Sequence, residues 1–202
     1  MSQVTPDTLS IKGIEEKENT NKTLFGFWLY LMTDCVLFAA LFATFIVLRN
    51  NTFGGPDGKE IFQMPYVLAE TILLLTSSFT CGLAMLAVKK HQKSLALKLL
   101  IATFVLGLSF LLLELWEFRV LVNEGHSWRQ SAFLSAYFTL VGTHGLHITV
   151  GLLWMVLVAY QLKIKGIKEV TIKRTALLTM FWHFLDIIWI FIFSIVYLMG
   201  VL

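Results

Sequence analysis

The chain has 202 residues, of which 57% are hydrophobic and 14% charged, with a formal net charge of +3 and a mean hydropathy of +0.75. A soluble domain carries about 25% charged residues, so this composition excludes an ordinary water-soluble enzyme or a nucleic-acid-binding module. The slightly basic balance says nothing about nucleic acid, because the basic residues flank long apolar runs.

Residues 1–23 are polar, lack an apolar core and read as a flexible tail. The first apolar run covers 24–48. It is too long for the core of a signal peptide, and no convincing cleavage site follows it, so it is expected to stay as a helix. Further runs cover 66–88, 95–117, 133–161 and 176–200. Each exceeds the roughly 18 apolar residues that mark a bilayer span. The expected fold is therefore an all-α integral membrane bundle of five transmembrane helices over 24–202.

Charge placement predicts the orientation. The tail holds Lys12, Lys17 and Lys22. The second connection and the start of the third span hold Lys89, Lys90, Lys93 and Lys98. The fourth connection and the start of the fifth span hold Lys163, Lys165, Lys168, Lys173 and Arg174. Only Arg49, Lys59, Arg119 and Arg129 fall on the other side. The positive-inside rule then puts the N-terminus in the cytoplasm and the C-terminus in the periplasm. Lys89, Lys90, Lys163 and Lys165 line the cytoplasmic rim, where anionic lipid headgroups gather. Their bland alternative is topology determination alone.

Within the spans stand Asp34, Glu70, Glu114, Glu117 and Asp186, together with His144, His147 and His183. Placing an aspartate at a helix centre costs roughly 2.5–3.5 kcal/mol on insertion scales. The acids are therefore expected to face protein rather than lipid. Glu114 and Glu117, His144 and His147, and His183 and Asp186 are each three apart, so each pair shares one helix face. If those faces converge, the bundle holds a buried carboxylate–imidazole network. Gly142, Gly145 and Gly151 flank the histidines, and small residues let a neighbouring helix come close.

These residues leave three readings open. They are polar glue between helices, a metal site fed by ExxE, HxxH and HxxD, or a proton relay for transport. The E-x-x-H pattern of di-iron bundles is missing, which counts against a di-metal oxidase. A free-standing proton-coupled transporter predicts an inverted repeat and broken helices, and neither is visible. Cys35 and Cys81 both fall inside spans and read as buried small hydrophobes. Trp28, Trp116, Trp128, Trp154, Trp182 and Trp189 mostly lie toward span ends, where indoles settle at headgroup level.

Five ordered motifs add a resemblance. GFWLYLMTDCVLF, LLLTSSFTCG, ELWEF, THGLHITVGLLW and FWHFLDIIWIFIFSIVYLMG together resemble subunit III of the haem–copper terminal oxidases, over residues 24–202. The five-span length and the GGPDGKEIF loop are similar to the bo-type branch of bacterial quinol oxidases. The resemblance implies a subunit with no metal or redox cofactor of its own. Such a subunit packs against a subunit I that carries haems and copper, and it binds phospholipid. The complex so implied oxidises ubiquinol, reduces dioxygen to water and translocates protons in aerobic respiration, in the bacterial inner membrane. The resemblance also implies that His144 and His147 belong to an interhelical polar network and are not metal ligands. Asp34 stands where cytochrome c oxidases of the family commonly have glutamate, and Glu70 lies where the family does not keep an acid.

Overall fold

The structure, a computed structural model, describes residues 6–52, 64–126 and 128–201. Five long helices make up nearly all of it: α1 Pro6–Leu48, α2 Met64–Lys89, α3 Lys93–Asn123, α4 Ala132–Lys165 and α5 Glu169–Ile192. A π-helical turn, Phe193–Leu198, and a last α-helical turn, Met199–Val201, continue α5. At about 1.5 Å per residue even the 24-residue α5 reaches roughly 36 Å, more than the ~30 Å hydrocarbon core. Segments Asn21–Leu48, Met64–Lys89, Lys93–Asn123, Ala132–Lys165 and Glu169–Leu198 are all long and apolar enough to cross a membrane. Helix is the expected solution, because it satisfies backbone groups internally where no water is at hand.

The GGPDGKEIF loop, with Lys59, lies outside the described residues. One stretch differs from expectation. The segment expected to be a flexible tail is helical from Pro6. The apolar span supplies a helix already formed, and adding residues to a formed helix is far easier than starting one.

The chain packs as two units, one ending at Val36 and one beginning at Leu37. The first is the N-terminal part of α1, where Leu31 and Asp34 are buried and Phe25, Trp28 and Val36 are exposed. Cys35 is exposed too, against the expectation of burial.

In the second unit α2 packs on α3, α3 on α4, α4 on α5 and α5 back on α2, closing a four-helix ring. The C-terminal part of α1 lies against it through Phe38 on His147, Phe45 on Phe133 and Phe42 on Phe191. The backbone N–H of Phe133 also donates to the Asn51 carbonyl. Helix ends follow local chemistry. Ser131 caps α4, its Oγ accepting from Leu134 N at 3.1 Å. After α3, Gly125 adopts φ 89°, while His126 N donates to Leu121 O and Gly125 N to Val122 O, a Schellman closure that favours glycine. The turn between α2 and α3 closes the same way around His91, at φ 57°.

The core explains the glycines. Trp182, on α5, is fully buried, and its indole N–H donates to Ser77 Oγ at 3.1 Å. A β-carbon on Gly107 would sit 2.7 Å from its ring, and one on Gly151 3.0 Å from it. These glycines thus admit a side chain of a facing helix. Trp189 is equally buried, donating to Thr71 Oγ1 at 3.1 Å. The interfacial expectation therefore fails for these two tryptophans. They lie seven residues apart on one helix face, and that face is the inner one. Trp28, Trp116 and Trp128 are exposed.

Candidate functional site

Glu70 on α2 and Glu114 on α3 are fully buried, and Glu117 lies one turn beyond Glu114, partly covered. The three carboxyl groups are near enough to interact electrostatically. Tyrosines line this centre. Tyr197, in the π-helical turn, donates to Glu117 Oε2 at 3.2 Å and shares a 3.0 Å hydrogen bond with the Tyr137 hydroxyl. Tyr66 donates to the Leu113 carbonyl at 3.1 Å. The Glu114 carboxyl presses on α4, where a β-carbon on Gly145 would lie 2.8 Å from Oε1. Both carboxyl oxygens of Glu70 and of Glu114 lack a hydrogen-bond partner among the described residues.

The imidazoles go elsewhere. His144 is fully buried and stacks on Trp189 at 5.4 Å, with Phe110 and Phe38 edge-on. Neither of its ring nitrogens has a hydrogen-bond partner among the described residues. His147 turns back on its own helix, Nδ1–H donating to the Thr143 carbonyl at 2.7 Å. His183 shares a 2.6 Å hydrogen bond with Ser78 Oγ through Nδ1. Asp186, buried one turn on, interacts with Ser78 and His183. Asp34 is buried in the first unit, where it interacts with the Tyr30 side chain one turn earlier.

The eight residues singled out by sequence thus do not form one network. The structure brings Glu70, Glu114 and Glu117 together with tyrosines, puts His144 in an aromatic cage, and joins His183, Asp186 and Ser78 across α5 and α2. Two i, i+3 pairs share a cluster, while His144 and His147 both touch Phe38 but otherwise part, one stacking on Trp189 and the other bonding to Thr143. Among the described residues no three His, Cys, Asp or Glu side chains gather as a metal-holding group. The ExxE, HxxH and HxxD pairs go to separate surroundings: the glutamates to Glu70 and tyrosines, the histidines of α4 to aromatic rings and a backbone carbonyl, and the α5 pair to Ser78. The sequence reading missed Tyr66, Tyr137, Tyr197, Ser77 and Ser78. The available signal was the SS pair in LLLTSSFTCG, which lies mid-span on the α2 face that carries Leu74 and Cys81.

Polar pairs of small side chains stitch the rest. Thr80 and Thr103 share a 2.9 Å hydrogen bond between α2 and α3, and the Cys81 thiol points to Thr179 Oγ1 at 3.8 Å. Cys81 is buried, as expected. Lys89, Lys90, Lys163 and Lys165 are all exposed. The two connections that carry them lie at one end of the ring, where Lys93 Nζ donates to the Lys163 carbonyl at 2.9 Å.

Comparison with known proteins follows the same length of chain. Residues 7–201 match the family cytochrome c oxidase subunit III. The chain is 54% identical over 185 residues to cytochrome bo(3) ubiquinol oxidase subunit 3 of Pseudomonas aeruginosa, covering 92% of this chain and 88% of that one. It is 51% identical over 180 residues to the protein of the same name from Pseudomonas putida, covering 89% and 87%. Cytochrome c oxidase subunit 3 of Bacillus sp. strain PS3 is 46% identical over 184 residues, covering 91% and 88%.

Proposed function

The chain belongs to the cytochrome c oxidase subunit III family, and on that premise we propose that it is the third, non-redox subunit of a bacterial haem–copper ubiquinol oxidase. The end-to-end likeness to the bo(3) ubiquinol oxidase subunits carries this reading. In it, a partner subunit I holds the haems and copper, and the complex oxidises ubiquinol, reduces dioxygen to water and moves protons across the inner membrane. This chain contributes packing. Its buried acids, imidazoles and hydroxyls fix helix register, because a slip would strand polar groups in hydrocarbon. The N-terminus and the basic end of the ring face the cytoplasm in this reading, in keeping with the positive-inside rule.

Affinity purification of the tagged chain in mild detergent tests it. A haem- and copper-bearing polypeptide should come down with the chain in equal amount. Recovery of the chain alone, or with stoichiometric metal bound to itself, would refute the reading.

The same reading includes bound phospholipid. A groove of about 280 Å³ between α3 and α4 is lined by Leu97, Ile101, Phe104, Val156 and Tyr160, with Lys163 among its walls. An acyl chain in it would set a phosphate beside Lys163. One lysine near an anionic headgroup contributes about 1 kcal/mol, so Lys163→Glu should reduce copurified anionic phospholipid about fivefold or more. Lipid mass spectrometry of the purified complex reads this, and an unchanged lipid profile would remove the groove as a site.

A further inference from the structure

Several exposed or half-buried hydroxyls on the apolar surface are satisfied locally. Thr44, Thr76, Ser109, Thr139, Thr143 and Ser194 each donate to the carbonyl four residues back. Such residues need nothing from outside and can face lipid. His183 is different. Ser78 occupies its Nδ1, while its Nε2 lies over Gly82, where a β-carbon would stand 3.6 Å away. No hydrogen bond to Nε2 occurs among the described residues, and the side chain is only partly buried.

Depth decides what can cover it. His183 lies midway along the span Glu169–Leu198, about 20 Å from either end at roughly 1.5 Å per residue. A hydrocarbon core of about 30 Å leaves headgroups and bulk water roughly 15 Å away. Lipid tails offer an imidazole nitrogen no partner, and polar groups exposed at this depth are costly. Around His183 the seam between α2 and α5 is built for a close neighbour. Ser78 and Gly82 keep its floor low, and exposed Leu75, Leu86, Ile187 and Ile190 stand on the same helix faces one or two turns away.

We propose that the α2–α5 seam at His183 is a docking surface for a transmembrane helix of a partner subunit that offers a hydrogen-bonding side chain at mid-bilayer depth. The proposal rests on the chain being a subunit of a larger membrane complex, and it names the face and the chemistry of that contact. The partner helix seats over Gly82 and Ser78, and its polar group pairs with Nε2. Small residues and a single interhelical hydrogen bond are the usual means of such association in lipid.

A photo-crosslinking residue placed at Ile187 in the assembled complex tests this, with one at Leu153, exposed on α4, as the control. Ile187 should yield an adduct to the haem-bearing partner polypeptide, and Leu153 should yield lipid adducts. Lipid adducts alone at Ile187, or adducts to a second copy of this chain, would overturn the proposal. In parallel, His183→Leu should lower the recovered partner by about 3- to 30-fold, and His183→Gln, which keeps a hydrogen-bonding group, should retain most of it. Equal recovery from both variants and the unaltered chain would also overturn it. If the unaltered chain brings down its haem-bearing partner while the seam fails both tests, only this inference falls.

Discussion

Trp182→Ala should be the most damaging single substitution in the bundle, costing about 3–5 kcal/mol. Helices in lipid gain little from burying apolar surface against one another, so association rests on packing and on hydrogen bonds. Trp182 supplies both at the centre of the ring. Its ring fills the space opened by Gly107 on α3 and Gly151 on α4, and its N–H reaches Ser77 on α2. Alanine would leave a cavity that two glycines cannot fill, and would leave Ser77 without its indole donor. Thermal unfolding in detergent, followed by loss of monodisperse protein, measures the effect. Trp116→Ala is the control, since Trp116 is 64% exposed and a surface change usually stays within about 0.5 kcal/mol. Equal unfolding midpoints for the two variants would contradict the packing described here.

Gly145→Ala is expected to destabilise the chain by about 1–3 kcal/mol, although alanine is the better helix former by about 1 kcal/mol. The added methyl would meet Glu114 Oε1 at 2.8 Å. The carboxyl has little freedom to retreat, being fully buried between α3 and α4 near Glu70 and Glu117. The decisive measurement is a double-mutant cycle with Glu114→Ala. In the Glu114→Ala background the clash is gone, so Gly145→Ala should become neutral or stabilising. The same loss in both backgrounds would mean that the glycine serves backbone approach instead, and that Glu114 has no part in it.

Much of this molecule was legible in its residues. Five apolar runs longer than a bilayer crossing leave the chain few alternatives to membrane helices, and the lysines gathered around two connections mark one end of the bundle. The motifs ELWEF, THGLHITVGLLW and FWHFLDIIWIFIFSIVYLMG carry the family. Burial of Asp34, Glu70, Glu114 and Asp186 follows from the cost of ionisable groups in hydrocarbon. These features depend on composition and spacing within one segment, and a single chain read end to end contains them.

Partner choice belongs to the tertiary structure. An i, i+3 spacing shows that His144 and His147 share a face, but not that one stacks on Trp189 while the other bends back to Thr143. Neither does it show that Glu114 and Glu117 meet tyrosines rather than imidazoles. Trp182 and Trp189 looked interfacial because their sequence position is ambiguous, and the rotation of α5 about its axis turned both inward. That rotation, like the register between helices, is set by which side chains fill which glycine notches. Contacts between segments far apart in sequence leave no periodic trace within any one of them, so only the packed bundle decides them.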